Sequence, residues 1–370
     1  MNIVYGVSGD GLGHVFEALE IASILRRDGH AVKILTYGDR ACDTLREFGP
    51  MRIRGLPLAF TARGLSVFRT LVNNADFLPF YFKNWRRLKR ELAAFKPDVF
   101  LTAYEPFTTL VSHVFGKPLV SMDNQNALLY MKNSPRGHRS AFMLAKFATR
   151  ICTFGASHYI VKSYHPTESS SDKVRFVAPI IQNEIRRIQP SIGAHVLVYL
   201  TRPNPELIGV LRSIDETFIV YCEDKVGEDG NLIFRAHGGS YLRDLASCKA
   251  ILGTTGFSLI ADAIYLKKPY YGLPLKKQFE QTRNGFFLAE SGLGEFSEEV
   301  SKEKIVAFLG RLGMYRERLA RRNFNPAEQE EALRAVLRQI ESVAKPLATG
   351  ALAPISSESP DNNSCSQERA

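Results

Sequence analysis

Asn2 is followed by Ile3-Val4-Tyr5-Gly6-Val7, an apolar run whose length and β-branched content predict a short buried strand. The period then changes. Ala18, Leu19, Ile21, Ala22, Ile24 and Leu25 recur at helical spacing, and the pattern stops at Asp28-Gly29. A second apolar run extends from Ala31 to Tyr37. Strand, glycine-rich loop, helix and strand within ~37 residues make a βαβ unit. Further strands are predicted at Arg52–Leu56, Val99–Ala103, Leu119–Met122 and His158–Val161, with helical segments between them. That alternation predicts an open parallel sheet with helices on its faces. A second series starts at His195–Leu200 and continues through Phe218–Cys222, Leu232–Phe234, Ala250–Leu252 and Pro269–Gly272.

Between the two series, Val177-Ala178-Pro179-Ile180-Ile181 and a polar stretch to Pro190 read as a linker. The expected organisation is α/β, with two Rossmann-like domains facing a central cleft. The domains fall at 1–178 and 193–312, with the linker at 179–192. Helices rich in arginine occupy Lys302 to Val343, giving a helical segment at 313–345. The Ser, Pro and Asn content of 346–370, with few apolar residues, predicts a disordered tail. A length of 370 residues suits two domains.

Composition narrows the setting more than the chemistry. At 45% hydrophobic and 23% charged, each half can bury a core. The net charge is +10, and the tail from Pro346 carries Glu358, Asp361, Glu368 and Arg369, so +12 falls on the rest. Such a balance suits an anionic partner: nucleic acid, an acidic membrane surface or a phosphorylated substrate. No recognised nucleic-acid module occurs, so no nucleic acid is expected as partner. The five cysteines are scattered, with neither metal-ligand nor disulfide-framework spacing, as in a reducing compartment. No leader and no run near ~20 apolar residues is present, so the expected location is cytoplasmic, at most peripheral to a membrane.

Three segments carry candidate chemistry. Gly9-Asp10-Gly11-Leu12-Gly13-His14 joins the first strand to the first helix. Glycines allow a tight turn and close approach to a ligand. The helix start near His14 directs unpaired N–H groups and a positive dipole end at the cleft. The spacing is G-x-G-x-G, not the dinucleotide G-x-G-x-x-G, and Tyr37-Gly38 stand where that fingerprint has an acid. A plain strand–helix turn is the bland alternative. His14 favours a site, because a histidine there can accept a proton near neutral pH. The second segment, Gly253-Thr254-Thr255-Gly256-Phe257-Ser258, also follows a strand and opens a helix, which suits a diphosphate. Asp262, four residues after Ser258, can accept from a ribose diol, or is simply a helix-face acid. The third runs from Gln278 to Asn284 after Gly272-Leu273-Pro274; its amides and acids suit sugar hydroxyls, and equally a solvated helix start.

These pieces, in this order, resemble the GT-B glycosyltransferases. The nearest group is that of the N-acetylglucosaminyltransferase forming lipid II, with its uncharacterised UDP-glycosyltransferase-like relatives. Gly11 to Leu19 resembles the family's glycine loop and histidine, and Asp123-Asn124-Gln125-Asn126 its His-Glu-Gln-Asn segment with the His and Glu replaced. Pro179 through Ile185 resembles the link between domains, Gly253 to Asp262 the diphosphate and ribose segment, and Gln278 to Asn284 the sugar-contacting loop. Asp262 stands where the family usually has Glu, and Leu200-Thr201-Arg202-Pro203-Asn204 replaces a glycine-rich turn. The resemblance covers roughly 1–310. It implies an acceptor-side first domain and a donor-binding second domain. The implied donor contacts are Gly11, Gly13, Thr254, Thr255, Gly256, Phe257, Ser258, Asp262, Glu280, Gln281 and Asn284, with Arg202 supplying positive charge. Asn124, Gln125 and Asn126 fall on the acceptor side.

The reaction so implied is inverting transfer of a sugar from a nucleotide-sugar donor, UDP-linked, to a hydroxyl. His14 is the candidate base, with Asp123 as the alternative base or acceptor-orienting group. No Asp-x-Asp occurs in the chain, so no metal is expected. No cofactor is expected either, since the nucleotide sugar is a substrate. A nucleotide-sugar 2-epimerase and a non-catalytic nucleotide-sugar-binding protein are the rival readings. A final feature bears on the acceptor. Phe77-Leu78-Pro79-Phe80-Tyr81-Phe82 precede Lys83, Trp85, Arg86, Arg87, Lys89 and Arg90. Aromatic groups beside dense positive charge suit an anionic membrane surface and a lipid-linked acceptor. A core-facing segment ahead of a solvated helix is the bland alternative.

Overall fold

A computed structural model describes residues 1–57, 59–61, 64–131, 139–165, 167, 171–222, 225–236 and 238–344. The tail expected at 346–370 lies outside the described residues. The strands of the first half are β1 (Asn2–Val7), β2 (Ala31–Thr36), β3 (Met51–Arg52), β4 (Phe60–Thr61), β5 (Gly64–Leu65), β6 (Val99–Ala103), β7 (Leu119–Asp123), β8 (His158–Lys162) and β9 (Val174–Val177). Seven of them form one parallel sheet in the order β3-β2-β1-β6-β7-β8-β9, while β4 and β5 pair antiparallel by themselves. Ile3 lies opposite Val32 of β2 and Val99 of β6, so β1 is central and buried on both faces. The strand alternation sorts the two cores. Ile3, Tyr5 and Val7 pack with Val15, Ala18, Ile21 and Leu25 of the Leu12–Arg27 helix. Val4 packs on the opposite face with Leu88, Leu92, Phe107 and Val111.

The second half repeats the plan with β10 (Val196–Leu200), β11 (Phe218–Cys222), β12 (Gly227–Asp229), β13 (Leu232–Arg235), β14 (Ala250–Gly253), β15 (Tyr270–Gly272) and β16 (Gly294–Phe296). Their order is β12-β13-β11-β10-β14-β15-β16, parallel apart from β12 against β13. The fold is thus two Rossmann-like α/β domains. Five short strands, β4, β5, β9, β12 and β16, were not expected from the apolar pattern. β12 contains no apolar residue, and β9 interrupts its run with Arg175. The strand expected at 52–56 shrinks to Met51–Arg52. Gly55 explains part of this: a Cβ there would lie 2.1 Å from the Tyr37 ring, so the chain bends tightly over that ring as it leaves the sheet.

The helical stretch after β16 is three helices, Lys302–Gly310, Leu312–Arg321 and Pro326–Ala344. The last of them crosses back to the first domain. Ala332, Leu333, Ala335, Val336 and Ile340 are buried in the same core as Ile3 and Tyr5. On the way, Gln329 clasps the crossing strand of chain between the sheets. Its Nε2 donates to Pro179 O at 2.8 Å and its Oε1 accepts from Ile181 N at 2.8 Å. Among the described residues no helix is long and apolar enough to cross a membrane.

In each sheet the strand order reverses beside a central strand, between β1 and β6 and between β10 and β14. Loops leaving the carboxyl ends of strands at such a reversal open a crevice where ligands bind. The loops after β1 and β14 are the two glycine segments singled out in the sequence.

Candidate active site

The first loop owes its shape to its glycines. A Cβ on Gly9 would lie 1.8 Å from the Tyr37 carbonyl oxygen, so only glycine passes there. Gly11 holds φ +96 and precedes a helix to which it supplies no side-chain cap. His14 stands in the first turn of that helix, half-buried. Its ring is parallel to Tyr104, 8° apart with centroids at 6.4 Å. Tyr104 follows β6 in the left-handed region, φ 58, which a tyrosine rarely adopts. The next residue, Glu105, fixes it from behind by capping the Pro106–Val114 helix, accepting from Phe107 N and Thr108 N. Burial, with Lys162 nearby, pushes His14 down to about 3, so the ring is neutral. Lys162 is itself buried and paired with Glu17, one turn after His14. Burial outweighs that partner and raises the Glu17 carboxyl.

Asp123 and Asn126 are placed differently from their neighbours. Asp123 is fully buried at the end of β7. Its Oδ1 accepts from Asn126 N at 2.7 Å, and Oδ2 accepts from Ser121 Oγ and Asn126 Nδ2, each at 2.7 Å. Asn126 Oδ1 accepts from Thr153 Oγ1 at 3.3 Å. These groups tie the turn together and present Asn124 and Gln125 to the cleft. Across it, Asn124 Nδ2 donates to Glu280 Oε1 at 3.0 Å and Gln125 Nε2 to Glu280 Oε2 at 3.3 Å. Gln125 Nε2 also lies 3.2 Å from His14 Nε2. Residues at 14, 124, 125 and 280 thus converge, while Asp123 and Asn126 lie behind them.

On the donor side, Gly256 precedes the Phe257–Tyr265 helix, again without a side-chain cap. Thr254 meets Thr201 hydroxyl to hydroxyl at 3.0 Å, which brings the exposed Arg202 loop alongside. Thr255 and Asn284 bind the loop to the next helix: Thr255 Oγ1 donates to Gln281 O at 2.7 Å and Asn284 Nδ2 to Thr255 O at 3.1 Å. Gln281 Oε1 accepts from Leu275 N at 2.9 Å. Phe257 stacks on Tyr164 with centroids at 5.4 Å. Ser258 faces the first domain so closely that a Cβ on Gly13 would lie 2.6 Å from its Oγ. Two uncapped helix N-termini therefore meet at Gly13 and Ser258.

Beside that meeting point lies a small recess lined by Gly13, Glu17, Gln182, Ser258 and Asp262, among others. Asp262 is buried, and its carboxyl has no hydrogen bond or ion pair among the described residues. Burial alone raises it to about 7. Sequence reasoning did not single out Glu17, Lys162, Tyr104 or Gln182. Glu17 was within reach, since i to i+3 spacing puts it on the His14 side of the helix. Arg283 was also passed over. It is 4% exposed, has no ion pair among the described residues, and lies 4.9 Å over the Phe287 ring.

A family model described as "Glycosyl transferase family 1" matches residues 1–313. Among solved structures, the glycotransferase of kitacinnamycin is similar at TM-score 0.64 and 15% identity, covering 91% of this chain and 98% of that one. The calicheamicin glycosyltransferase CalG4 is similar at TM-score 0.60 and 15% identity, covering 94% and 99%. The spinosyn rhamnosyltransferase SpnG complexed with thymidine diphosphate gives 0.58 and 14%, covering 92% and 100%. No curated protein matches the chain in sequence. The solved structures bear on fold; the family match extends over most of the chain.

Proposed function

The chain belongs to glycosyl transferase family 1 and is a glycosyltransferase, and from that premise we propose its reaction. A nucleotide-sugar donor, UDP-linked, binds in the cleft, and its sugar passes with inversion to an acceptor hydroxyl. The acceptor oxygen forms the new bond to the anomeric carbon as the bond to the diphosphate breaks. The diphosphate leaves with the electron pair, and His14 takes the hydroxyl proton. The carrying observation is the meeting of two helix N-termini, each begun by a glycine that supplies no side-chain cap, at Gly13 and Ser258, beside Asp262, whose carboxyl has no hydrogen bond or ion pair among the described residues. Facing positive dipole ends favour an anion between them, and Asp262 suits the ribose hydroxyls. Those termini, with Arg202, would stabilise the leaving diphosphate.

Thermal unfolding against UDP- and TDP-linked sugars tests this. A donor at 100 times its Kd should stabilise the protein by about 2.7 kcal/mol; no stabilisation by any of them would overturn the reading. SpnG was solved with thymidine diphosphate, hence the second base in the panel. Donor turnover should also persist in excess chelator. Complete loss, restored by a divalent ion, would show that helix termini and Arg202 do not suffice.

A lipid-linked acceptor at an anionic membrane surface is the acceptor the outer face of the first domain favours. It would also fit kinship with the lipid II-forming group. Within the Phe77–Phe95 helix, Tyr81 stacks in the core on Phe107, while Leu78 (61%) and Phe82 (83%) are exposed. Lys83, Arg86, Arg87, Lys89 and Arg90 are all exposed on that helix. The Arg139–Cys152 helix exposes Met143, Leu144, Phe147 and Ile151, has no acidic residue, and packs Phe142 on Phe279, next to Glu280. The protein is expected to float with vesicles containing anionic lipid, and to release as salt rises. Glutamine at Arg86, Arg87, Lys89 and Arg90 together should abolish flotation with Tm unchanged. A wild type that stays in solution at low salt would favour a soluble acceptor.

A further inference from the structure

Glu280 of the donor domain holds two amides of the other domain, and one of those amides also touches the proposed base. A side-chain amide has a donor end and an acceptor end, whereas a carboxylate only accepts. Glu280 therefore selects the donor NH2 of Gln125, whose second hydrogen points to His14 Nε2. That nitrogen must be the acceptor, which leaves the ring proton on Nδ1. The opposite end of the amide records the constraint. Gln125 Oε1 is buried and has no hydrogen-bond partner among the described residues. An amide free to turn would not leave its acceptor orphaned.

We propose that Gln125 is a positioning residue through which Glu280 makes His14 available only when a donor sugar is bound. This rests on the reading of His14 as base. With the donor site empty, Gln125 occupies the Nε2 lone pair. A sugar whose hydroxyls donate to Glu280 takes over its oxygens, and Gln125 is released. Nε2 then faces the acceptor hydroxyl with its lone pair open. When the acceptor oxygen attacks, its proton moves to Nε2; Nδ1 keeps the proton it already held, and the diphosphate departs with its electron pair. Donor therefore binds before acceptor, and the empty enzyme offers no base to water.

Nitrogen-15 spectra of histidine-labelled protein at neutral pH test this, the His14 signal being assigned by its absence in His14→Gln. Wild type without ligand should show an unprotonated Nε2 and a protonated Nδ1. Adding whichever of UDP-glucose, UDP-N-acetylglucosamine or TDP-glucose stabilises most should shift Nε2, and UDP alone should not. Glu280→Ala should lose the fixed tautomer without any ligand. Asn124→Ala, which leaves the Gln125–Glu280 contact in place, should keep it. A proton on Nε2 in the wild type, an unmoved Nε2 with bound nucleotide sugar, or an unchanged tautomer in Glu280→Ala would each overturn the proposal. If His14→Ala kept its turnover, the base reading would fall while these spectra stood, so the two failures are distinguishable.

Discussion

His14→Ala is expected to lower kcat by about 10²–10⁴-fold while donor affinity changes little. The ring stands in the first turn of the helix after β1, parallel to Tyr104 and reached by Gln125. Its state suits a base in one respect and limits it in another. Pushed down to about 3 by burial and then by Lys162, the ring is neutral at every ordinary pH and need lose no proton before it acts. A ring so reluctant to charge is a weak base until an opposite charge comes near. The donor diphosphate supplies one, favouring the imidazolium as it forms. The acid limb of kcat/KM should therefore not report a histidine near its ordinary value. Steady-state kinetics with calorimetric donor titration would check this. Turnover within about threefold of wild type would remove His14 from the chemistry. Asp123→Ala is the necessary companion, but its reading needs Tm as well. Asp123 is buried with both oxygens engaged, so a loss of activity there that tracks a loss of stability reflects the turn it holds.

Asp262→Ala is expected to weaken nucleotide-sugar binding by about 1–3 kcal/mol, as a ribose diol loses its acceptor in a desolvated recess. The wild-type affinity should also depend on pH in a defined direction. Burial raises the carboxyl to about 7 in the empty protein. Donor hydroxyls favour the ionised form, so the complex holds fewer protons than the free protein, and affinity rises with pH until about 7. A tenfold weaker affinity for each unit below that is the order expected. The phosphates of an intact nucleotide sugar do not titrate there, so the slope belongs to the protein, and Asp262→Asn should flatten it. The same raised pKa acts on stability in the opposite sense. The folded empty protein binds this proton more tightly than the unfolded chain, whose aspartates titrate near ~4. Its contribution is complete below that value and is lost as pH rises through about 7. Affinity that neither falls in the alanine variant nor follows pH would take Asp262 out of the donor site.

Much of the fold was legible because it rests on local pattern. β1, its glycine loop, the first helix and β2 follow from a switch of apolar period within one stretch of chain, and the central strands of both sheets are mostly apolar. The edge strands were not legible, since β12 is Gly-Glu-Asp and earns its place only by pairing with β13. At the site, the segments were readable but not the division of labour inside them. Nothing in Asp123-Asn124-Gln125-Asn126 says that its first and last residues turn inward. That outcome depends on Ser121 and Thr153, which the fold alone brings beside them. Likewise, the contact of Glu280 with Asn124 and Gln125 joins residues about 155 positions apart and leaves no local trace. Tyr104 is absent from any motif because its role comes from a backbone conformation, which residue identity does not announce.

The return of the Pro326–Ala344 helix to the first domain has a consequence for how the chain is made. A ribosome releases β1 and its neighbours early, yet the face of their sheet that the Leu12–Arg27 helix covers is closed over completely only when this helix emerges. Until then the surface around Ile3 and Tyr5 that Val336 and Ile340 later fill is open to water and to other nascent chains. The cores of the second domain need nothing made later than Phe324, so they can close before this helix is finished. Domains generally fold in order of synthesis, but here the one made first is completed last. The interval before that helix arrives is when the chain is most exposed to wrong partners and most in need of a chaperone.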